Sequence, residues 1–427
     1  MAVLGLAPGA WALQPLETFV RAAREGSPDN QEARATAAQQ QAQAQVALGG
    51  ALPNLTARGT YTRNQATAEI NLQLDPNAPP IRAVLTPSDQ LDAVITLNVP
   101  LVDLARFQRI SAARTGARAA EHQAEATRLQ VEANVVQGYY QLVANAALVE
   151  ASRQALDVAR ASLTLTEDRQ EAGTASSLEV DRARAEVERQ VQQLASSELS
   201  LSLSARSLES MSGLAPELDA PVGPIQDDLH PEPGLETFAT PELELPSLAA
   251  AQANTRAAAQ QARAQRLTLL PTLSGNVTER ITNAAGFAGN KASYTAGLSL
   301  NWMLDYTTFA SMKSQDAALA VARAREERTR RSASDGIHRA WSQVSANIAK
   351  SRSARAQVQA TNHASELALD RYQVGAATQL DLLQAQRDAF SAEVSRIQAD
   401  AELANARAQL RIAAGKDPFS PSTPSDT

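Results

Sequence analysis

Residues 99–213, which begin VPLVDLARFQRISAARTGARAA, occur a second time without a gap as residues 301–415, which begin NWMLDYTTFASMKSQDAALAVA. The two copies share polar residues and turn residues in the same register, including Asp103 and Asp305, Gln141 and Gln343, Gly173 and Gly375, and Leu178 and Leu380. A repeat of this length marks a duplicated structural unit. Alignment of two alanine-rich helices by composition alone is the weaker explanation, because the ungapped register keeps both glycines.

Each copy is predicted to form a hairpin of two long helices, over residues 103–213 and 304–415. The first helix runs from about Leu104 to Arg169 and contains no proline. Apolar or small residues recur there at alternating spacings of four and three, namely Val135, Tyr139, Leu142, Ala146 and Val149. This spacing is typical of long helices packed along a heptad-like seam. At 1.5 Å per residue such a helix is roughly 100 Å long, which is longer than a globular core needs.

The turn of each hairpin contains one glycine, Gly173 between Arg169 and Leu178 and Gly375 between Arg371 and Leu380. We expect both glycines to adopt the left-handed conformation that ends a helix. The hydroxyl residues that follow are candidate N-caps of the return helices, namely Thr174, Ser176, Ser177 and Thr378.

Four segments alternate apolar and polar residues with a period of two and are predicted to be strands, at about 54–64, 91–100, 272–282 and 293–302. Each has about ten residues, the length that a tilted strand needs to cross a bilayer. The residues expected to face lipid are Leu55, Ala57, Tyr61, Leu91, Ala93, Ile95, Leu97, Val277, Tyr294, Leu298, Leu300 and Trp302. A half-buried sheet in a soluble protein would show the same alternation, so the pattern leaves both interpretations open.

The remaining segments complete two structural repeats, residues 13–213 and 247–415. Residues 1–12 end in Ala10-Trp11-Ala12, which fits a signal-peptidase site, and are expected to be a residual signal peptide or a disordered start. Short helices are predicted at Leu16–Arg24, Asp29–Ala47 and Leu248–Leu267. The segments 65–90 and 214–246 are predicted to be a loop and an irregular linker, and 416–427 a disordered tail.

Composition excludes several classes of function. The 427 residues include no cysteine, so neither disulfides nor thiolate chemistry are expected, nor is an N-terminal lipid anchor. The net charge of −7 argues against a nucleic-acid partner, which would favour a basic surface. The sequence contains no run of eighteen apolar residues, so no transmembrane helix is predicted.

The sequence also shows no catalytic constellation, cofactor motif or Walker motif. The histidines are scattered and lack the spacing of metal ligands, namely His122, His230, His338 and His363. The chain is therefore predicted not to be an enzyme, with no cofactor and no metal.

The order helix, strand, strand, long helix, long helix, twice over, resembles the TolC family of outer-membrane efflux ducts across nearly the whole chain. The most specific piece is the segment from Arg371 to Gln386, RYQVGAATQLDLLQAQ, with a degenerate copy around Gly173. The resemblance implies a mainly α fold with a membrane β part. In that fold a trimeric, 12-stranded outer-membrane β-barrel continues into a long α-helical coiled-coil tunnel in the periplasm. Four membrane strands per chain cannot close a barrel, so physics also favours several copies.

The resemblance also implies sites at the periplasmic tip of the hairpins. Residues of the pore constriction would be Asp381, Glu179, Tyr372 and Gln384, where Gln384 replaces an acid common in the family. Residues of the tip turns that contact the adaptor would be Arg169, Gly173, Leu178, Arg371, Gly375, Thr378 and Leu380. The alternatives are that Asp381 is a helix N-terminal acid favoured by the helix dipole and that Tyr372 only packs the hairpin.

The implied function is a passive exit duct of a tripartite efflux or type I secretion system. Its partners would be two further copies of the chain, a periplasmic adaptor, an inner-membrane pump or ABC transporter, and outer-membrane lipid. Drugs, metals and secreted polypeptides all remain possible cargo. The main alternative is a soluble periplasmic coiled-coil protein with an interaction or chaperone role. A periplasmic adaptor has less support, because no lipoyl-like sequence interrupts the helices.

Overall fold

A computed structural model describes residues 13–72, 81–218, 223, 225–239, 245–284, 286 and 289–419 of the chain. The chain divides into two compact units. Unit one comprises residues 1–35, 122–249 and 328–427, and unit two comprises residues 36–121 and 250–327. Within the described ranges, no helix is both long and apolar enough to cross a membrane.

Seven α-helices occur in the described part of the chain: α1 (Leu16–Gly26), α2 (Pro28–Gly49), α3 (Leu104–Glu171), α4 (Ser177–Ser212), α5 (Pro246–Leu267), α6 (Tyr306–Gln373) and α7 (Gln379–Ala413). The first long helix of each copy, α3 and α6, has 68 residues. Their return helices α4 and α7 have 36 and 35 residues. The matching lengths agree with the duplication seen in the sequence.

The core of unit one follows the predicted seam. Val135, Leu142 and Val149 of α3 are buried. The second copy buries Ile337 and Val344 of α6 at the places that match Val135 and Leu142, and Ile348 at the place that matches Ala146. Leu208 of α4 packs with Val135 and Leu142 in one hydrophobic cluster. Leu403 and Leu410 of α7 pack with Ile337, Val344 and Ile348 in a second hydrophobic cluster. Burial of these side chains removes apolar surface from water, which holds each hairpin together.

Unit two contains a four-stranded antiparallel sheet in the order β1-β4-β5-β6, formed by β1 (Asn54–Arg63), β4 (Asp89–Val102), β5 (Thr272–Thr282) and β6 (Ala292–Asn301). Its strands have 10, 14, 11 and 10 residues. β1 and β6 lie at the two edges, so each has one side without a partner strand among the described residues of the single chain.

The segment 65–90, predicted to be a loop, contains a second sheet, which is a correction to the sequence analysis. Its strands β2 (Ala68–Leu72) and β3 (Ile81–Thr86) pair antiparallel. At five and six residues they are too short for the period of two to stand out from the surrounding polar sequence. β4 also begins earlier than predicted, at Asp89, because Asp89 pairs with Arg63 in the register of β1.

The linker region is irregular where the structure describes it. Residues 225–239 contain one short 3-10 turn, Leu235–Thr237, and Phe238 packs against the core of the second hairpin. The expected signal peptide, residues 1–12, and most of the expected disordered tail, residues 420–427, lie outside the described residues.

Candidate functional site

The two hairpin turns share one backbone design. Gly173 and Gly375 have φ values of 72° and 78°, which confirms the predicted left-handed conformation. The N–H groups of Thr174 and Ala376 donate to the carbonyls of Arg169 and Arg371, both at 2.8 Å. These bonds satisfy carbonyls that the ends of α3 and α6 would otherwise leave unpaired. Glycine is required because a Cβ atom would be strained at this φ.

Both return helices begin with a capping box. Ser176 and Thr378 are the N-caps, whereas the candidates Thr174 and Ser177 are not. The Thr378 N–H donates to Asp381 Oδ2 at 3.0 Å, and the Asp381 N–H donates to Thr378 Oγ1 at 3.2 Å. Ser176 and Glu179 exchange the same pair of bonds. Each box satisfies N–H groups that the start of a helix leaves without partners.

The capping box also sets the charge of Asp381. Hydrogen bonds from the Thr378 hydroxyl and then from its backbone N–H hold the pKa of the Asp381 carboxyl below its usual range. The side chain is exposed. In the single chain Asp381 is therefore an ionised helix-start residue, and a role in a pore requires further copies of the chain.

Tyr372 lies inside the chain rather than at its surface. Its side chain is 2% exposed, and the guanidinium of Arg169 sits 4.5 Å from the ring centroid. Arg169 also donates to the Tyr372 carbonyl, and the Thr166 hydroxyl lies 3.4 Å from the phenol oxygen. Tyr372 thus joins the end of α6 to the end of α3, which agrees with the hairpin-packing alternative.

Glu179 contacts the start of the other return helix. Its backbone carbonyl accepts a hydrogen bond from the Gln379 side chain. Gln379 is buried at the start of α7. This bond ties the starts of the two return helices together. Gln384 is exposed and donates to Asp388 at 2.9 Å.

Apolar side chains project from the turns. Leu178 and Leu380 are each 56% exposed, and Val374, which the sequence analysis did not single out, is 79% exposed. Gly173, Gly375, Arg371 and Thr378 are exposed as well, whereas Arg169 is partly covered by its contact with Tyr372. Exposed large apolar groups clustered on one surface are typical of a docking site.

Buried carboxylates paired with arginine are a feature of unit one that the sequence did not reveal. Glu186 of α4 accepts hydrogen bonds from Arg189 of the same helix and from Arg387 of α7, the latter at 2.7 Å. Burial alone would raise the pKa of Glu186, but the hydrogen bonds from Arg189 and Arg387 outweigh it and lower the pKa below its usual range. Removal of one partner from such a pair leaves a buried charge unpaired, which is costly.

A second cluster fixes the linker to the second hairpin. The Arg407 guanidinium, 5% exposed, donates to Asp227 Oδ2 at 2.8 Å and to the His230 carbonyl at 2.7 Å, and its Nη1 lies 3.1 Å from His230 Nε2. Asp227, Asp228 and His230 bring their ligand atoms within 4.8 Å of one another. They do not suit a metal, because Arg407 and Asp228 occupy the two ring nitrogens of His230 and Arg407 occupies Asp227.

The register of the main sheet places the predicted lipid-facing residues on one face. Directly paired residues of an antiparallel sheet point to the same side. Leu55 pairs with Leu97, which pairs with Val277, and Tyr61 pairs with Leu91. Tyr294, Leu298 and Leu300 of β6 share that face, with Leu298 74% exposed. Trp302 lies just beyond β6 and donates to the Leu269 carbonyl at 3.0 Å.

The opposite face of the sheet is polar. One row crosses all four strands as Thr56, Thr96, Thr278 and Thr295, and the hydroxyls of Thr96 and Thr278 are 3.3 Å apart. Arg280 and Asp92 form an ion pair at 2.7 Å on the same face. Glu279 is the acid that interrupts the apolar face, between Ile95 and Tyr294. One exposed apolar face and one polar face fit a sheet between lipid and water.

Comparison with known proteins gives one family. A family model described as outer membrane efflux protein matches residues 19–214 and 242–416. The fusaric acid resistance protein FusA of Burkholderia cepacia is 26% identical over 222 residues, which span 49% of this chain and 40% of that relative.

Solved structures of outer-membrane channels have the same fold. The CmeC outer membrane channel of Campylobacter jejuni matches with a TM-score of 0.79 and 18% identity, over 96% of this chain and 87% of that one. The outer membrane protein VceC of Vibrio cholerae matches with a TM-score of 0.77 and 20% identity, over 94% of this chain and 96% of that one.

Proposed function

Because this chain belongs to the outer membrane efflux protein family, we propose that three copies of it form a passive exit duct across the outer membrane. The family consists of efflux and transport proteins of the outer membrane, so the prediction that the chain is not an enzyme is confirmed. The duct would carry cargo from an inner-membrane pump or ABC transporter and its periplasmic adaptor.

The observation that carries this proposal is the four-stranded sheet of unit two. Its apolar face is exposed, its other face is polar, and its edges β1 and β6 have no partner in the single chain. A strand edge in hydrocarbon would leave backbone N–H and C=O groups unsatisfied, which is prohibitively costly. Closure with two further copies would pair every edge and give a barrel of twelve strands around a polar lumen.

The helical hairpins would then form the walls of a periplasmic tunnel, with the linker as a belt around it. The buried arginine pairs support this role, because they cross-link helices of one chain. Glu186 joins α4 to α7 through Arg387, and Arg407 joins the linker to α7. A wall fixed in this way would keep a tunnel open along its length.

The hairpin turns would be the periplasmic tip and the adaptor-docking surface. Leu178, Val374 and Leu380 supply exposed apolar contact area there. In the trimer, Asp381 would bring three carboxylates around a common axis at the entrance, with Glu179 and Gln384 nearby. Tyr372 would contribute indirectly, by fixing the relative position of the two turns through Arg169.

The cargo class that has support is a small toxic organic compound. The relative from Burkholderia cepacia is named for resistance to fusaric acid, an organic acid. We therefore propose that the cargo of this chain is a compound of that kind and not a secreted polypeptide. Export of a small organic acid from cells that carry the duct and its pump would test the extension.

A matched pair of substitutions tests the proposed membrane sheet. Leu298 and Ser299 are neighbours in β6 but lie on the apolar and the polar face. Leu298→Arg puts a charge toward lipid, at a cost of about 2–4 kcal/mol near the bilayer midplane, and should abolish insertion into the outer membrane. Ser299→Arg puts the same charge in the lumen and should insert normally. Equal membrane fractions for both variants would mean that the apolar face of the sheet does not contact lipid.

A further inference from the structure

We infer that Arg58 gives the lumen of the proposed barrel a preference for anionic solutes, and so is a specificity-determining residue of the duct. The inference rests on the proposed trimeric barrel and extends it to the chemical class of the cargo. Its basis is the charge balance on the polar face of the sheet in unit two.

Arg58 lies in the middle of β1 on the polar face. It pairs with Val94 of β4, which pairs with Arg280 of β5. The next row toward the outer end of the sheet contains Asp92. The paired strands carry three charged side chains on this face, Arg58, Asp92 and Arg280.

Two of these three charges cancel. Arg280 Nε and Nη2 both donate to Asp92 Oδ1, at 3.0 Å and 2.7 Å. Arg58 is exposed and forms no ion pair or hydrogen bond with its side chain among the residues that the structure describes. Glu279 lies on the opposite face, so the sheet itself separates its carboxylate from Arg58. On the paired strands, Arg58 is therefore a cation without a counter-charge among the residues that the structure describes.

Closure of the barrel does not supply a counter-charge. β1 would pair with β6 of the next copy, since these are the two open edges of the sheet. The sequence of β6, ASYTAGLSLN, contains no acidic residue. Three copies would thus place three uncompensated arginines at one level of the lumen. A ring of like charges lowers the energy of the opposite ion and raises that of the same ion.

This cationic ring opposes the acidic ring proposed at the helical turns. Asp381 would favour cations at the periplasmic entrance, whereas Arg58 would favour anions within the barrel. A solute that bears both a carboxylate and a basic nitrogen would find a favourable charge at each level. Because solution ions screen exposed charges beyond about 10 Å at 0.1 M salt, the effect of Arg58 should be largest at low ionic strength.

The test is the chloride-to-potassium permeability ratio of trimers in planar bilayers, measured from reversal potentials in a dilute KCl gradient. All variants are compared in the Asp381→Asn background, which removes the opposing acids. Arg58→Gln should lower the ratio by roughly twofold or more, as a lumen charge ring predicts. Arg58→Lys keeps the charge and should preserve the ratio. Asp92→Asn releases Arg280 from its partner and should raise the ratio.

The outcomes separate this inference from the proposed function. Stable trimeric channels whose ratio is the same in Arg58→Gln as in Arg58→Lys would overturn the inference and leave the duct standing. Should Arg58→Gln fail to assemble, Arg58→Thr takes its place, because threonines already occupy the same face of β1, and an unchanged ratio in that variant would overturn the inference. Absence of channels in the unmodified protein would overturn both.

Discussion

The two hairpin turns have the same backbone but bury different residues. In the register of the duplication Tyr372 corresponds to Gln170, Arg371 to Arg169, and Asp381 to Glu179. Tyr372 is buried and Gln170 is exposed, whereas Arg169 is partly covered and Arg371 is exposed. The first turn supplies the cation and the second supplies the aromatic ring of one contact. Duplication has kept the glycine and the capping box of each turn, while the side chains have diverged into two complementary halves.

The largest effect expected from this asymmetry is at Tyr372. Tyr372→Ala removes a fully buried aromatic ring, and such substitutions cost about 3–5 kcal/mol. Amide hydrogen exchange should show faster opening of both turns. The matched control is Gln170→Ala, which removes an exposed side chain at the equivalent position and should leave exchange unchanged. Equal protection in the two variants would mean that the ring does not join the turns.

The next effect is common to both turns, because the backbone design is common. A valine at Gly375 or Gly173 must adopt a positive φ, at a cost of roughly 1–2 kcal/mol. Gly375→Val should weaken adaptor binding and export while the trimer stays assembled, and Gly375→Asn, which tolerates this φ, should bind better than Gly375→Val. Cross-linking to the adaptor measures the difference. Unchanged binding in Gly375→Val would place the docking surface elsewhere.

A smaller effect on stability is expected to distinguish Arg169 from Arg371. Arg169→Gln removes the contact with the Tyr372 ring, and such cation–π contacts contribute about 0.5–2 kcal/mol. Arg371→Gln removes an exposed side chain at the equivalent position and should leave the stability of the turns unchanged. Thermal unfolding in detergent compares the two. A larger loss for Arg371→Gln would reverse the assignment of roles.

The smallest effect on the fold is expected at Asp381, where the consequence should be functional. Asp381→Asn should reduce cation selectivity and weaken block by multivalent cations, with little change in trimer stability. Conductance in planar bilayers measures this, and Glu179→Gln provides the comparison at the other turn. Selectivity and block equal to those of the unmodified protein would make Asp381 only a helix-start residue.

The pH dependence of Asp381 follows from its hydrogen bonds. The pKa is lowered in the folded chain, because Thr378 donates to the ionised carboxylate. The contribution of the capping box is therefore present above the unfolded pKa and is lost as pH falls through the folded pKa. Mutual repulsion of three carboxylates at the entrance would raise the pKa in the trimer. A titration of cation block in wild-type trimers shows which of the two effects is larger.

The parts of the fold that sequence could predict are those that repeat with a short period. The seam through Val135 and Leu142, the left-handed glycines and the apolar face of the strands each follow from local spacing. The β2–β3 sheet was missed because its strands are too short for a periodic signal. The contact of Arg169 with Tyr372 and the pairing of Glu186 with Arg387 were missed because they join residues distant in sequence, whose proximity depends on how the helices pack.

At the candidate site, the exposure of Val374 also could not be predicted from the local sequence. Its neighbour Gly375 was recognised, since a glycine at a helix end has a fixed geometric role. Nothing local distinguishes an exposed valine from a buried one, and only the position of the turn in the fold leaves it 79% exposed. The roles of the tip residues in gating and docking stay predictions.

The mass of the detergent-extracted complex tests the central claim most directly. The open edges β1 and β6 predict that the chain leaves the membrane only with detergent and then has the mass of three copies, 45.3 kDa each. A stable monomer that is released without detergent would contradict the trimeric duct.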